Sequence, residues 1–305
     1  MKRKLLLLGL LAVAIVFVAG GFAQRSHAGS LTEAASNSIA PGRMQVYVLD
    51  VGRGQSVLVI SPAGKAALID AGPPEAGARV VNELRRRGVQ KLEVVVATQA
   101  GADYIGGLRR VAGSSDLVIN NFIDSAQPWK TDAYQQLLAT VQTANVPLLA
   151  ARRGQFFDLG GGARLDIVNP VGDGTWLAPA EGVRQENANA VVVRLLYRGF
   201  IMLIMSGAGA ATAENIIEAR QNIWAPFLVV GDQGSRDSLS EKMLSIVQPK
   251  FAIISTDTTK APAPETIERL KGAKAEIYRT DTSGEISITS DGKTHEIATE
   301  RKSAR

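Results

Sequence analysis

Ala97-Thr98-Gln99-Ala100-Gly101-Ala102-Asp103-Tyr104-Ile105-Gly106-Gly107-Leu108 follows the apolar, β-branched run Leu92 to Val96 and leads into a helix-like segment. The order strand, loop, helix places this loop at the end of a buried strand. Its side chains are chemically sparse. Asp103 is the one carboxylate, Gln99 offers a neutral amide, Tyr104 a phenol, and Gly101 nothing. The whole chain has two histidines, His27 and His295, and no cysteine, so imidazole and thiolate are missing from the loop and from its surroundings in sequence.

Further landmarks lie on both sides. Val46-Tyr47-Val48-Leu49-Asp50-Val51-Gly52-Arg53-Gly54-Gln55-Ser56 and Ala67-Leu68-Ile69-Asp70-Ala71-Gly72 precede the loop. Asn189 to Leu195, Leu203-Ile204-Met205-Ser206-Gly207-Ala208, Gly231-Asp232-Gln233-Gly234-Ser235 and Tyr278-Arg279-Thr280-Asp281, with Gly284 and Ser290-Asp291-Gly292, follow it. In this order they resemble the metallo-β-lactamase superfamily, and most nearly the soluble C-terminal domain of ComEC-type competence, or DNA-uptake, proteins. The resemblance covers nearly all of the chain after residue 43. It implies an α/β fold, an αββα sandwich, and a zinc-dependent hydrolase site in relatives that keep the motifs. There the first loop reads Thr/Ser-His-x-His/Asp-x-Asp-His-x-Gly-Gly, a later strand ends in Thr-Gly-Asp, and a further loop reads Gly-His-His-Gly-Ser. In this chain the corresponding positions are Gln99, Gly101, Asp103, Tyr104, Ala208, Asp232 and Gln233.

Zinc is held by Cys sulfur, His nitrogen and Asp or Glu oxygen, and a catalytic site needs three protein ligands and an open position for water. Gln99 and Gln233 bring neutral amide oxygens, and Gly101 and Ala208 bring no ligand atom. Tyr104 would have to give up a phenolic proton with an ordinary pKa of about 10. The expectation is a degenerate site with no catalytic residue and no zinc. A hard divalent cation remains conceivable on Asp70, Asp103 and Asp232, whose oxygens suit magnesium, calcium or manganese. Asp50 and Asp70 also read as turn residues that hydrogen-bond nearby backbone amides.

The N-terminus answers to a different solvent. Lys2-Arg3-Lys4 precedes Leu5 to Ala23, an uncharged stretch of 19 residues, close to the ~20 a helix needs to cross a bilayer core. Residues 1–28 read as a signal anchor, one hydrophobic helix, or as a signal peptide cleaved near Ala23 or Ala28. The positive-inside rule then puts the rest of the chain outside the cytoplasm, tethered to the cell membrane or secreted. Residues 29–43 read as a polar linker, 44–299 as the domain and 300–305 as a basic tail. Without cysteine the domain stands without disulfides. Its size exceeds the usual guide of ~100 to 200 residues, yet two-sheet α/β folds reach it, and 46% hydrophobic against 21% charged residues supply an ample core.

The formal charge of +5 arises at the ends. Five of the 34 Lys and Arg residues lie in 1–43 and three in 300–305; setting these aside with Glu33 and Glu300 leaves 26 basic and 27 acidic side chains in 44–299. Nucleic acid is therefore not the expected partner of the domain alone; an unidentified protein or small-molecule ligand is, with the membrane engaged by the N-terminal segment.

Periodicity predicts strands near 45–51, 56–60, 66–70 and 92–97, and helices near 75–88, 104–112 and 131–144 around an apolar run at 117–123. A hairpin of 156–159 with 164–168 leads to strands 189–197 and 200–205, helix 211–221, strand 226–230, helix 237–247, strand 250–255, helix 264–271 and a closing hairpin. Arg85-Arg86-Arg87 reads as solvated cations at a helix end stopped by Gly88. Trp129 and Trp176 fall in Pro-containing loops expected near the site's mouth, where a tryptophan either lines a groove or pins a loop.

Three functions follow. The first is a membrane-tethered, extracytoplasmic pseudoenzyme that binds a partner. The second is a hydrolase, phosphodiesterase-like by resemblance, that uses a carboxylate-bound cation. The third is an accessory protein of DNA uptake.

Overall fold

The computed structural model describes residues 42–172, 176 and 185–301. Its longest apolar runs form strands buried on both faces, as in Met44–Val48, Val57–Ile60 and Ala66–Ile69. Seven strands in the first half are β1 (Met44–Val48), β2 (Val57–Ile60), β3 (Ala66–Ile69), β4 (Lys91–Val96), β5 (Val118–Ile119), β6 (Phe122–Asp124) and β7 (Leu148–Ala150). The second half holds β8 (Phe156–Gly160), β9 (Ala163–Asn169), β10 (Val192–Tyr197), β11 (Phe200–Ile204), β12 (Phe227–Val229), β13 (Phe251–Ile254) and β14 (Glu276–Arg279), then β15 (Ile286–Ser290) and β16 (His295–Thr299). One sheet runs β16-β15-β1-β2-β3-β4-β6-β7, with β5 also on β4, and the other β14-β13-β12-β11-β10-β9-β8.

Strand alternation sorts side chains into three cores. Val57 and Val59 face the other sheet and meet Val193, Leu195 and Ile204, whereas Leu58 and Ile60 point the opposite way. There they pack on α1 (Gly77–Arg86), α2 (Ala102–Ile105), α3 (Leu108–Ala112) and α4 (Asp132–Thr143) through Val80, Leu84, Ile105, Leu108 and Leu137. Beyond the second sheet, Leu203, Leu228 and Ile254 pack on α6 (Ala210–Glu218), α7 (Glu241–Val247) and α8 (Pro264–Gly272); α5 (Gln185–Ala188) and α9 (Thr280–Ser283) are single turns. Helices therefore cover the outer face of each sheet, which makes the expected αββα sandwich. Each aliphatic side chain fully buried in these layers contributes about 1.5–3 kcal/mol.

Several boundaries move for physical reasons. The helix expected over 104–112 is two helices, because a Cβ on Gly107 would stand 2.1 Å from the Ala71 carbonyl oxygen and one on Gly106 would stand 2.4 Å from Pro74 Cδ. The glycine pair lets the 70–77 loop press into the break. Helix α7 starts at Glu241 rather than 237, where Ser240 caps it by accepting the Met243 N–H. Residues 276–279 form a further strand, β14, which joins β13 in parallel, and the closing hairpin is β15 with β16. Strand β7 was not foreseen.

Arg87 also departs from expectation. Arg85 and Arg86 are half-exposed, but the Arg87 side chain is 1% exposed and ion-paired to Glu83 and Glu285. Its guanidinium also lies 4.0 Å over the Tyr47 ring. It joins α1 to β15 and β1 instead of meeting solvent. Residues 1–28, the expected anchor, lie outside the described residues, as does the linker up to residue 41 and the tail after 301. Among the described residues no helix is long and apolar enough to cross a membrane.

Candidate functional site

The carboxyl ends of β3, β4, β11 and β12 deliver Asp70, Thr98, Ser206 and the Gly231–Gly234 turn to one place. The Asp232 N–H donates to the Ser206 carbonyl at 2.6 Å, and the Val191 N–H to the Thr98 carbonyl at 2.7 Å. Gln55 Nε2 donates to Ser206 Oγ at 2.8 Å. Four non-glycine residues here, Asp70 (φ 59°), Ser206 (φ 47°), Asp232 (φ 40°) and Gln233 (φ 56°), hold left-handed backbone. Each costs about 1–2 kcal/mol, and such strain collects at functional sites.

Asp70 anchors this frame. Its carboxylate accepts the Thr98 N–H at 2.9 Å and the Thr98 hydroxyl at 2.6 Å, and Ser206 adds a third bond. Burial outweighs those bonds and pushes its carboxyl from 3.8 up to about 7. That value suits proton transfer near neutral pH, but Asp70 has no exposed surface and both oxygens are engaged. It is a buried strut, out of reach of a substrate.

Most motif positions are engaged by the chain itself. Gln99 is buried; its Oε1 accepts the Gly101 N–H at 2.5 Å and its Nε2 donates to Asn187 Oδ1 at 3.2 Å. Gly207 lies against it, since a Cβ there would stand 2.5 Å from Gln99 Cγ. Gly101 opens α2, and the fully buried Tyr104 accepts the Ala71 N–H on its backbone carbonyl at 2.9 Å. Ala208 has no exposed surface, and its carbonyl presses on Gly231, where a Cβ would stand 2.2 Å away. Asp103 accepts from Arg53 Nη2 at 2.8 Å, and Asp232 Oδ1 lies 3.8 Å from Lys260 Nζ. Gln233 is buried, with neither amide atom hydrogen-bonded to protein, the setting that ordered water satisfies.

This donor set does not fit zinc. It consists of neutral amides, a buried phenol, a methyl group, and two carboxylates already facing cations. Nor do Asp70, Asp103 and Asp232 assemble as a hard-cation site. Among the described residues no three His, Cys, Asp or Glu side chains gather as a metal-holding group, and each of the three carboxylates faces a different partner. Trp129 packs into the helix-side core and so pins its loop; Trp176 is half-buried.

Sequence reasoning missed Arg53, Lys260, Asn187 and Thr98. Arg53 stood in a Gly-Arg-Gly turn, the one available signal, and its partner is 50 residues away.

The layered architecture recurs in solved structures. The metallo-β-lactamase fold protein YhfI from Bacillus subtilis superposes with a TM-score of 0.53 at 10% identity, over 81% of this chain and 99% of that one. Igni18, a metallo hydrolase from the archaeon Ignicoccus hospitalis, does so at 0.50 and 11%, over 80% and 98%. The chain has the metallo-β-lactamase fold. No family model matches it. Competence protein ComA of Neisseria gonorrhoeae is 26% identical over 92% of this chain and 36% of its own length. Recombination protein 2 of Haemophilus influenzae is 28% identical over 80% and 28%, and ComE operon protein 3 of Bacillus subtilis 22% over 79% and 32%. The chain spans about a third of the length of these relatives.

Proposed function

We propose that this metallo-β-lactamase-fold domain is an accessory module of DNA uptake that binds a partner and does not hydrolyse a substrate. It would be tethered through residues 1–28 to the outer side of the cell membrane. The observation that carries the reading is the engagement of the motif positions: the Gln99 amide is bonded to Gly101 and Asn187, Ala208 supplies a methyl group, and Asp103 and Asp232 face Arg53 and Lys260. A hydrolase of this fold needs those positions open to a metal and its water. Two relatives named for competence and for the ComE operon support the uptake role. The N-terminal run Leu5 to Ala23 supports the tether.

The test uses the full-length chain, purified without added metal. Elemental analysis should find zinc and manganese far below one per chain, and a chelator should leave the melting temperature unchanged, because a metal bound at a thousandfold excess over Kd stabilises by about 4 kcal/mol. Loss of the protein from its source cell should lower DNA uptake. Stoichiometric metal with phosphodiesterase activity would overturn the non-hydrolytic reading.

A further inference from the structure

The outer layer of the second sheet holds a groove of about 1060 Å3 between α7 and α8. Each helix lines it with residues spaced i, i+3, i+4 and i+7: Glu241, Leu244, Ser245 and Gln248 along α7, and the same spacing from Glu265 to Gly272 along α8. Residues at that spacing share one helix face.

Trp224 stands at one end of the groove with 43% of its surface exposed. Its backbone is fixed on every side. Ile223 and Ala225 have no exposed surface. The Trp224 N–H donates to Asn222 Oδ1 at 3.3 Å, its carbonyl accepts from Arg194 Nη2 at 3.2 Å, and the Ala225 N–H donates to the Val247 carbonyl at 3.0 Å. The ring is therefore turned outward by an ordered segment. A tryptophan presented in this way loses little entropy when it is covered, and tryptophan is enriched among the residues that dominate interfaces.

Charge runs along the groove in one direction. Strands β12, β13 and β14 are parallel, so α7 and α8 return beside them with their first residues at the strand carboxyl ends. Trp224, Lys250 and Lys274 each precede one of these strands and share the strand-start end, whereas Glu241 opens α7 at the other end and Glu268 follows on the second turn of α8. Glu265 and Arg269 are spent within the chain, the first on Arg236 at 2.5 Å and the second on the carbonyls of Arg236 and Leu239. Lys250, Lys274, Glu241 and Glu268 have no ion pair among the described residues. Lys274 holds left-handed backbone (φ 59°), a conformation that glycine adopts without strain, yet it carries a charged side chain into the groove.

We propose that this groove is the contact face of a two-fold dimer, its occupant a second copy of this chain. A two-fold axis across the groove turns the second copy end for end. Lys250 and Lys274 of each copy then face Glu241 and Glu268 of the other, and each Trp224 covers the helix-start half of the opposite groove. A patch that is its own complement is what such a contact requires. The motif positions at the carboxyl ends of β4, β11 and β12 lie at the other end of the sheets, so pairing leaves them uncovered.

The test is sedimentation of the full-length chain in a mild, density-matched detergent. Wild type should be a dimer at about 50 µM, with a dissociation constant that rises with salt. Trp224→Ala should weaken it about thirtyfold. The all-basic variant E241K/E268K and the all-acidic variant K250E/K274E should each be monomeric, and an equimolar mixture of the two should form a mixed dimer. The swapped variant E241K/K250E/E268K/K274E should dimerise as wild type does. A monomeric wild type would leave the groove to a different protein and overturn the inference. So would charge variants that stay monomeric when mixed, or a dimer that none of the variants weakens, as one held together by residues 1–28 would be. Should a double variant fail to fold, the other two decide: dimer kept in the swapped variant and weakened in Trp224→Ala supports the inference, and any other result overturns it.

Discussion

At the scale of single residues, Asp70 ties stability to pH. Burial raises its folded-state pKa to about 7 from 3.8, so between roughly pH 4 and pH 7 the folded chain keeps a proton that the unfolded chain has released. Stability from this group is therefore complete below about pH 4 and is lost as the pH rises through 7. A shift of this size corresponds to roughly 4 kcal/mol. Carboxylates with lowered values, Asp257 among them, work in the opposite direction and lose their contribution as pH falls, which is why the effect must be read as a difference. In Asp70→Asn the amide tolerates left-handed backbone, keeps one Thr98 bond and no longer titrates. Urea unfolding of both chains from pH 4.5 to 8 should show the variant gaining on wild type by a few kcal/mol as pH rises. Parallel stability profiles would mean that Asp70 is ionised in the folded protein across the whole range.

At the scale of elements, what could be read in the sequence depended on burial and on distance along the chain. Strands such as Val57–Ile60 and Phe200–Ile204, apolar on both faces, were legible because both sheets are covered by helices. Leu148–Ala150 was not: it is a three-residue edge strand with exposed side chains, too short for any period to register. Glu276–Arg279 was not foreseen as a strand of its own, because its residues are only half-buried and only the neighbouring β13 decides its sheet. The substituted motif positions were visible residue by residue, while the cations facing them were not, since Lys260 is 28 positions from Asp232 and nothing local joins them. The loops that carry these positions converge, with Gln99 against Gly207, Ala208 against Gly231, and Asp232 bonded to Ser206. Gln99→His, Gly101→His, Tyr104→His, Ala208→Asp and Asp232→His together should therefore create measurable zinc binding. Gln99 must change with Gly101, because a Cβ at Gly101 would stand 2.5 Å from Gln99 Oε1. A carboxylate at the fully buried position 208 costs several kcal/mol unless a metal pairs it, so the melting temperature should rise steeply with zinc, although affinity will be poor without supporting hydrogen bonds behind the new ligands. A folded variant that takes up no zinc at millimolar metal would show that the loops meet in the wrong geometry.

At the scale of the whole molecule, charge decides how the chain can meet DNA. Residues 44–299 hold 26 basic and 27 acidic side chains, and the excess of positive charge sits in the terminal segments. Within the domain many of the cations are already paired: Arg53 with Asp103, Arg85 with Asp116, Arg164 with Asp166, Arg236 with Glu265 and Lys242 with Glu214. Non-specific DNA binding draws on Lys and Arg that displace counterions from phosphates, and a cation spent on a neighbouring carboxylate has less to give. The expectation is that residues 42–301 alone grip nucleic acid weakly. Residues 42–301, tested by fluorescence anisotropy with a labelled duplex and a labelled single strand at physiological salt, should show no saturable binding at micromolar protein. The full-length chain, whose ends add Lys2, Arg3, Lys4, Arg25, Lys302 and Arg305, should bind more tightly and lose that binding as salt rises. The opposite result, a micromolar complex of residues 42–301 whose affinity falls steeply with salt, would show that unpaired cations line up in space where neither sequence order nor the ion pairs reveal them, and would make DNA itself the partner.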